Sequence, residues 1–305
     1  MTNSRPLRIG VVDVGGTSMR RSVVEIDAPG VPVLSEVTTQ PAATDPEKAV
    51  GQVLDLAEAA GQGVDAVGVV LPGVVDEALG TGVWSENLGW RDVPFARLLR
   101  ERLAVPVAVG HDVRAWGAAE RHWGAARGLS DVAIVVIGTG ISAALVVDGR
   151  PLDGRGFAGE IGHLRVAGDQ TCACGGTGCL EAVASAAGIV REYNAVAEHP
   201  ATSAVEVAEA VRRGESPAVD VWATALDRLA DGLAALTTVV APEAIVLGGG
   251  LARAGEEILL APLRIRLTER LHYTPVPSLL PAAFEGTGGL IGAAHLAANS
   301  MEESS

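Results

Sequence analysis

Three short apolar runs in this chain each end in a glycine turn, and this pattern constrains the fold more than any other feature. The runs are residues 7–12, 132–137 and 243–247, and the turns after them contain Gly15-Gly16-Thr17, Gly138-Thr139-Gly140 and Gly248-Gly249-Gly250. Helical patterns separate the runs, and such alternation is typical of an α/β protein. The first two runs each begin a strand–turn–strand arrangement. The sequence therefore predicts two halves that share one cleft, with a hinge near residues 110–130.

The other predicted elements follow from hydrophobic spacing. Further strands are predicted at residues 22–26, 66–71, 105–109 and 143–147, and helices at residues 45–61, 115–123, 219–240, 256–271 and 288–298, with partial helix at 179–197. Asp45 and Pro46 are typical of a helix start, and Gly61 of a helix end. The polar residues 299–305 are expected to fray.

Composition excludes several classes of partner. The 37 Asp and Glu against 23 Lys and Arg give a net charge of −14, whereas a nucleic-acid surface needs clustered Lys and Arg. No run of about 18 uninterrupted apolar residues is present, so no membrane span is expected. The first residues show no signal-peptide pattern, and we expect a cytoplasmic protein.

The cysteines indicate a metal site. All three lie within eight residues, as Cys172, Cys174 and Cys179, and His163 precedes them. Three thiolates and an imidazole form a closed tetrahedral zinc set of the structural kind. Buried free cysteines are the alternative, but the segment is rich in Gly and Thr and offers little core. The sequence therefore predicts a structural Zn²⁺ ion.

The glycine turns suit a nucleotide. Glycines let backbone N–H groups approach an anion closely, and Asp13 at the end of the first run could hold Mg²⁺ through water. The turn at 248–250 opens a helix and could support a base and ribose. A plain hairpin is the alternative for the turn at 15–17. Together the three turns are consistent with a nucleotide clamped between two domains.

Three carboxylates accompany these features. Asp112 follows a buried strand and precedes a helix, where ligands bind in open α/β sheets, although a helix N-cap is the common role of such an aspartate. Glu160 lies one helical turn before His163, and Glu181 lies two residues after Cys179. A bound metal ion that fixes the positions of Glu160 and Glu181 could prepare these carboxylates to accept hydrogen bonds from hydroxyl groups.

Six motifs together resemble the bacterial ROK family of sugar kinases, open reading frames and repressors. They are Asp13–Thr17, Leu71–Asp76, Asn87–Trp90, Gly159–His163, Cys172–Glu181 and Gly248–Gly250. The resemblance implies a two-domain actin-like ATPase fold of hexokinase and ribonuclease H type, with a central cleft and a structural zinc loop. We expect domains at 1–112 and 113–288, with a final helix at about 289–300 packed on the first domain.

The resemblance also implies an activity and its residues. Asp112 would be the catalytic base, and the sugar would contact Asn87, His111, Asp112, Glu160, His163 and Glu181. The turns containing Gly15, Gly16, Thr17, Gly138, Thr139 and Gly140 would hold the ATP phosphates, and Gly248, Gly249 and Gly250 the adenosine. An ATP-dependent and Mg²⁺-dependent phosphotransferase acting on the 6-hydroxyl of a glucose-like sugar is expected, as a homodimer.

The sequence departs from the family pattern at the sugar and phosphate positions. Glucokinases of the family usually have Asn before the catalytic Asp, where this chain has His111. The change favours a 3-amino sugar such as kanosamine, as in antibiotic biosynthesis, while plain glucose stays an alternative. A C7-cyclitol kinase and a catalytically weak sugar sensor are further alternatives. A repressor is disfavoured, because only six residues precede the first strand and the charge is acidic.

Two further departures concern the phosphates. Ser18 stands where the family often has Lys, and residues 141–144 replace a glycine-rich continuation. These side chains are expected to alter phosphate geometry. Arg20 or Arg21 could compensate for the lost charge, or could be surface residues of a strand.

Overall fold

The computed structural model describes residues 5–27, 30, 32–166 and 168–302, which fall into two compact units. Unit 1 holds the described residues up to Trp123, Asp153–Phe157, and those from Thr287 onward. Unit 2 holds Gly124–Leu152 and the described residues of 158–286. The predicted domain limits at 112 and 288 stay a prediction, and these units divide after Trp123 and Gly286.

The described elements are fourteen strands and nine α-helices. In chain order the strands are β1 Leu7–Val14, β2 Ser18–Ile26, β3 Val33–Leu34, β4 Thr38–Pro41, β5 Ala66–Leu71, β6 Val74–Asp76, β7 Thr81–Trp84, β8 Arg91–Val93, β9 Val107–His111, β10 Val132–Ile137, β11 Ile141–Val147, β12 Arg150–Pro151, β13 Ala244–Gly248 and β14 Ser278–Pro281. The helices are α1 Pro46–Ala60, α2 Phe95–Arg102, α3 Asp112–His122, α4 Leu180–Ala184, α5 Ala186–Asn194, α6 Ala204–Arg212, α7 Ser216–Val240, α8 Ala261–Arg270 and α9 Gly288–Glu302.

Unit 1 is built on a mixed sheet in the order β3-β2-β1-β5-β9, with β4 also paired to β2. β1 is antiparallel to β2 and parallel to β5, which is parallel to β9. Every residue of β5 is buried, as expected for a strand covered on both faces. A small separate sheet, β6-β7-β8, was not predicted, because its strands are too short to show a period.

Helix α1 confirms its predicted start and end. The Asp45 carboxylate accepts a hydrogen bond from the Lys48 N–H at 2.9 Å, and the Gly61 N–H donates to the Ala57 carbonyl. The buried side of α1, which includes Val53 and Leu54, joins the core of unit 1.

Helix α9 returns the end of the chain to unit 1. It packs on β1, β5, β9 and α3. A side chain at Gly292 would bring its Cβ to 2.5 Å from the Ala115 carbonyl carbon, so glycine permits the close approach to α3. The predicted fraying from 299 is wrong for 299–302, which are helical, and residues 303–305 lie outside the described residues.

Unit 2 carries a second sheet in the order β12-β11-β10-β13-β14. β10 and β11 form the predicted hairpin, and β10, β13 and β14 run parallel. Helices α4–α8 supply much of its core. Within the parts of the chain that the structure covers, no helix combines the length and apolarity needed to traverse a bilayer.

The predicted helix at 256–271 begins irregularly. Residues Glu256–Leu260 form a π-helical turn before α8. Pro262 has no N–H to offer the Ile258 carbonyl four residues earlier, and the Trp222 indole N–H donates to that carbonyl at 2.7 Å instead. The Trp222 side chain of α7 therefore supplies the hydrogen bond that Pro262 cannot donate.

Candidate active site and metal centre

The first glycine turn follows β1 and is narrow. The Gly15 N–H donates to the Ser18 carbonyl at 2.9 Å, which closes the turn. A Cβ built on Gly16 would lie 2.9 Å from the Asn87 side chain. The structure therefore brings the predicted residue Asn87 against the predicted turn.

Asp13 is buried at the end of β1, with 7% of its surface exposed. Its carboxylate forms an ion pair with Arg20. A Cβ on Gly289 of α9 would come to 2.5 Å from that carboxyl group. Of the two expectations for Arg20, the contact with Asp13 excludes a plain surface role. Gly289 was missed, because nothing local in the sequence links it to β1.

The same sheet edge carries the His111–Asp112 corner. In the parallel register, Asp13 is opposite Val70, and Leu71 is opposite His111. The carboxyl ends of parallel strands meet at one edge of a sheet, where α/β proteins bind ligands. The strands that carry Asp13 and His111 therefore end at the same edge of the sheet, with β5 between them.

His111, not Asp112, is the N-cap of α3. The His111 Nδ1 atom accepts a hydrogen bond from the Arg114 N–H at 3.3 Å. Asp112 occupies the first helical position, and its Oδ1 accepts from the Val113 N–H at 2.7 Å. Its side chain is 28% exposed. The common capping role considered for Asp112 is thus wrong, and the cap falls to its neighbour.

His111 is held neutral. Burial, followed by the charge of Arg114, lowers the pKa of His111 to about 3. A neutral imidazole carries one hydrogen, and its Nδ1 is used as an acceptor, so the hydrogen is assigned to Nε2. His111 can therefore only donate through Nε2.

Glu77 and Arg114 are residues of this corner that the sequence prediction missed. One Glu77 oxygen accepts hydrogen bonds from the His111 N–H at 2.9 Å and the Arg114 Nε–H at 3.1 Å. Glu77 directly follows the Leu71–Asp76 motif. Arg114 lies two residues beyond Asp112, so the signal was proximity to motifs already identified.

In unit 2 the second and third glycine turns lie together. Val136 of β10 is opposite Gly248 of β13. Gly249 has a φ of +90°, and a side chain there would collide with the Ile137 carbonyl oxygen. Glycine is therefore required at this close approach. A short 3-10 turn, Gly250–Ala254, follows and separates the glycine turn from the helix that it was expected to open.

Glu181 closes the second turn. Its Oε2 accepts a hydrogen bond from the Ile141 N–H at 2.9 Å and lies against Gly140. Ile141 and Ala143 are buried in the core of unit 2. Alternation in β11 directs these two side chains into the core, and the expectation that residues 141–144 alter phosphate geometry stays a prediction.

The four predicted metal donors converge in unit 2. The donor atoms of His163, Cys172, Cys174 and Cys179 all lie within 4.8 Å of one another. The Cys174–Cys179 sulfur distance and the Cys172 sulfur to His163 Nδ1 distance are both 3.8 Å. Bonds of about 2.3 Å to sulfur require tetrahedral edges of about 3.8 Å, so the donor set fits a Zn²⁺ ion.

Electrostatics favours a cation at this cluster. Burial raises the pKa of the Cys172 thiol and raises that of Cys179 to about 12, whereas the Gly176 N–H lowers the pKa of Cys174. Packing three thiolates together is unfavourable without a positive charge between them. A divalent cation would supply it.

Two predicted sugar carboxylates touch the metal donors. The His163 Nε2 atom lies 3.9 Å from a Glu160 oxygen, while its Nδ1 faces Cys172. The Cys172 sulfur lies 3.9 Å from Glu181 Oε1. A carboxylate that faces the second ring nitrogen of a metal-binding histidine, as Glu160 does here, orients that ligand. Unit 2 thus brings Glu160, His163 and Glu181 together, while Asn87, His111 and Asp112 belong to unit 1.

Known proteins share this sequence pattern and this fold. The family model described as "ROK family" matches residues 9–300. The glucokinase of Streptomyces coelicolor is 30% identical over 95% of this chain and 97% of its own length. The N-acetyl-D-glucosamine kinase of Pectobacterium carotovorum is 30% identical over 93% and 97%.

Solved structures agree. The ROK glucokinase of Streptomyces griseus, solved with glucose and AMPPNP, superposes with a TM-score of 0.84 at 30% identity, covering 96% of this chain and 99% of that one. The fold is therefore the actin-like ATPase fold that was predicted. The chain belongs to the ROK family.

Proposed function

We propose that this ROK-type sugar kinase transfers the γ-phosphoryl group of ATP to the 6-hydroxyl group of glucose or a glucose-like sugar. The observation that carries the proposal is the whole-length similarity to a glucokinase solved with glucose and an ATP analogue. The acceptor class is also supported by relatives described as glucokinase and N-acetyl-D-glucosamine kinase. We also propose that the reaction takes place in the cytoplasm.

Asp112 is the proposed general base. Phosphoryl transfer needs a carboxylate that takes the proton of the attacking hydroxyl and little other covalent help. Asp112 is partly exposed at the first position of α3, at the edge where β1, β5 and β9 end. Asn87, His111, Glu160, His163 and Glu181 are the further proposed sugar contacts.

The glycine turns are the proposed nucleotide contacts. Gly15, Gly16 and Thr17 and the turn at 138–140 would present backbone N–H groups to phosphates, and Gly248–Gly250 would adjoin adenosine. Asp13 would hold Mg²⁺ through water, and the ion would neutralise phosphate charge. Arg20 contacts Asp13, so its positive charge also lies at this turn.

A structural zinc ion is proposed for His163, Cys172, Cys174 and Cys179. All four positions are filled by protein donors, which leaves none for substrate. The ion would hold the loop in shape. The contacts of His163 with Glu160 and of Cys172 with Glu181 then make the loop a support for the sugar-binding carboxylates.

His111 bears on the choice of sugar. Its Nε2–H can donate to a hydroxyl oxygen or to an uncharged amine, but has nothing to offer an ammonium group. Glucose therefore suits the neutral His111 better than protonated kanosamine does. Kanosamine as the free amine and a C7-cyclitol remain the alternative substrates to be compared.

ADP release with glucose, kanosamine and a C7-cyclitol, measured side by side, tests the proposal. Glucose is expected to raise turnover well above the sugar-free rate, with phosphate found on O6 by NMR. Asp112→Asn should lower kcat by about 10²–10⁴-fold while sugar binding persists. Asp55→Asn, an exposed change on α1, is the matched control and should be neutral.

Two results would contradict this reading. If no sugar stimulates ATP turnover, the chain is not a sugar kinase, and sugar binding without turnover would identify a sensor. If Asp112→Asn keeps its kcat, the base lies elsewhere.

A further inference from the structure

An ion pair between the buried Arg114 side chain and Glu77, whose side chain is 35% exposed, lies next to Asp112. The Arg114 side chain is only 8% exposed, and its Nε–H donates to Glu77 Oε1 at 3.1 Å. The same Glu77 oxygen accepts the His111 N–H at 2.9 Å. One carboxylate oxygen thus holds the residue before Asp112 and the side chain of the residue two positions after it.

The other end of the Arg114 guanidinium reaches two more segments. One terminal nitrogen donates to the Gly156 carbonyl at 3.3 Å, and the other donates to the Val75 carbonyl at 3.2 Å. A Cβ on Gly156 would lie 3.0 Å from the Val75 carbonyl oxygen, so these segments are in close contact. All three guanidinium nitrogens of Arg114 therefore donate to protein oxygens.

This arrangement differs from an ordinary surface ion pair. Arg102 and Asp55 are also paired in unit 1, but their side chains are 41% and 76% exposed, and such pairs contribute little. A guanidinium as buried as that of Arg114 is costly unless it is hydrogen-bonded, and here each of its three nitrogens donates to a protein oxygen, although the Glu77 side chain is 35% exposed. Its position is therefore strongly determined, and with it the backbone on both sides of Asp112.

We propose that Glu77 and Arg114 are positioning residues that fix Asp112 for proton abstraction, an inference that rests on Asp112 being the base. A general base acts only within hydrogen-bond reach of its proton, and a displacement of about 1 Å costs about 10²-fold in rate. Glu77 fixes the His111 N–H, and Arg114 fixes the first turn of α3 to β6 and residues 154–156. The proposal gives both residues a positioning role and assigns neither a contact with the substrate.

Steady-state kinetics of Arg114→Gln and Glu77→Ala tests the proposal. We expect kcat to fall by about 10–100-fold, with the KM values for sugar and ATP within about threefold of the parent. Glu77→Gln keeps an oxygen for the His111 N–H and should recover part of the loss. Arg102→Gln is the matched control and should leave kcat unchanged.

The Asp112→Asn background distinguishes a positioning role of Arg114 from a general loss of structure. In Asp112→Asn protein, Arg114→Gln should cause no further fall in kcat, because residues acting through one group are not additive. Arg114→Lys, which keeps the charge but loses the fork, gives a second variant if the glutamine protein unfolds, and should also lower kcat.

Three results would contradict the proposal that Glu77 and Arg114 position Asp112. An unchanged kcat in Arg114→Gln and Arg114→Lys, a loss confined to KM, or an additive loss in the Asp112→Asn background would each overturn it. Full activity of Asp112→Asn alone would instead refute the base assignment, so the two failures are distinguishable.

Discussion

At the scale of single residues, His111 shows what sequence could and could not predict. Its departure from the family pattern led to the prediction that this position affects the choice of sugar. The hydrogen on Nε2 could not be predicted, because it depends on where the Arg114 N–H lies in the folded helix. The pairing of Glu77 with Arg114 could not be predicted either, because these two residues are 37 positions apart in sequence.

Because His111 is buried as a neutral imidazole, the free energy of unfolding falls as the solution becomes acidic. The folded-state pKa is about 3, against about 6.5 in an unfolded chain. Above pH 6.5 neither state binds the proton. As pH falls below 6.5 the unfolded state alone binds it, so stability is lost by up to about 1.4 kcal/mol per pH unit. The Asp112 carboxylate and the Arg114 N–H face Nδ1 of this imidazole, and Glu77 accepts the backbone N–H of His111.

We therefore predict that His111→Asn makes the free energy of unfolding less dependent on pH between 6.5 and 5. Urea denaturation at a series of pH values measures it. His295, whose burial lowers its pKa to about 4, retains its own dependence in both proteins. His199→Asn, an exposed site, should leave the slope unchanged. An equal slope in His111→Asn and the parent would contradict the prediction.

At the scale of elements, the local signals were sufficient where a short segment defines its own structure. The capped helix α1 and the cysteine–histidine cluster follow from spacing alone. The cap of α3 was wrong by one residue, because His rarely caps and the competing carboxylate was adjacent. The small strands β6–β8 and the β14 strand could not be predicted, because they are stabilised by pairing with distant residues.

The metal loop gives the prediction at this scale. Cys174→Ser should lower bound zinc from about one equivalent to almost none and reduce the melting temperature by about 5 °C or more. Sugar affinity should fall as well, because Glu160 and Glu181 contact the ligands His163 and Cys172. Metal analysis, thermal unfolding and calorimetric sugar titration measure these effects.

The control for this loop is adjacent. Ala173→Ser introduces the same hydroxyl one residue away, at an exposed position that is not a donor, and should change neither zinc content nor affinity. Normal sugar affinity in metal-free Cys174→Ser protein would show that the loop does not support the carboxylates.

At the scale of the whole molecule, the hardest feature to predict was which segments of the chain belong to each unit. The α/β class and the repeated glycine turns were visible in the sequence. The inclusion of residues 153–157 in unit 1 was not, because it depends on long-range contacts such as Arg114 with Gly156. The expected homodimer remains a prediction.

The packing of α9 on α3 gives the last prediction. Gly292→Ala should destabilise the protein by about 1–3 kcal/mol, because the new methyl group meets backbone of Ala115 that cannot yield. Gly51→Ala in α1, where a Cβ meets nothing within 4 Å, should instead be neutral or stabilise by up to about 1 kcal/mol. Urea denaturation compares them. Equal effects would show that α9 does not require the glycine.

The return of α9 to β1 and β5 also sets an order of events during synthesis. The ribosome produces the strands of unit 1 first and the helix that covers them last. At about 5–20 residues per second, those strands wait about ten seconds or more for their covering helix. Most of unit 2 emerges within that interval and can fold first, so the half of the protein that begins the chain is the half completed at its end.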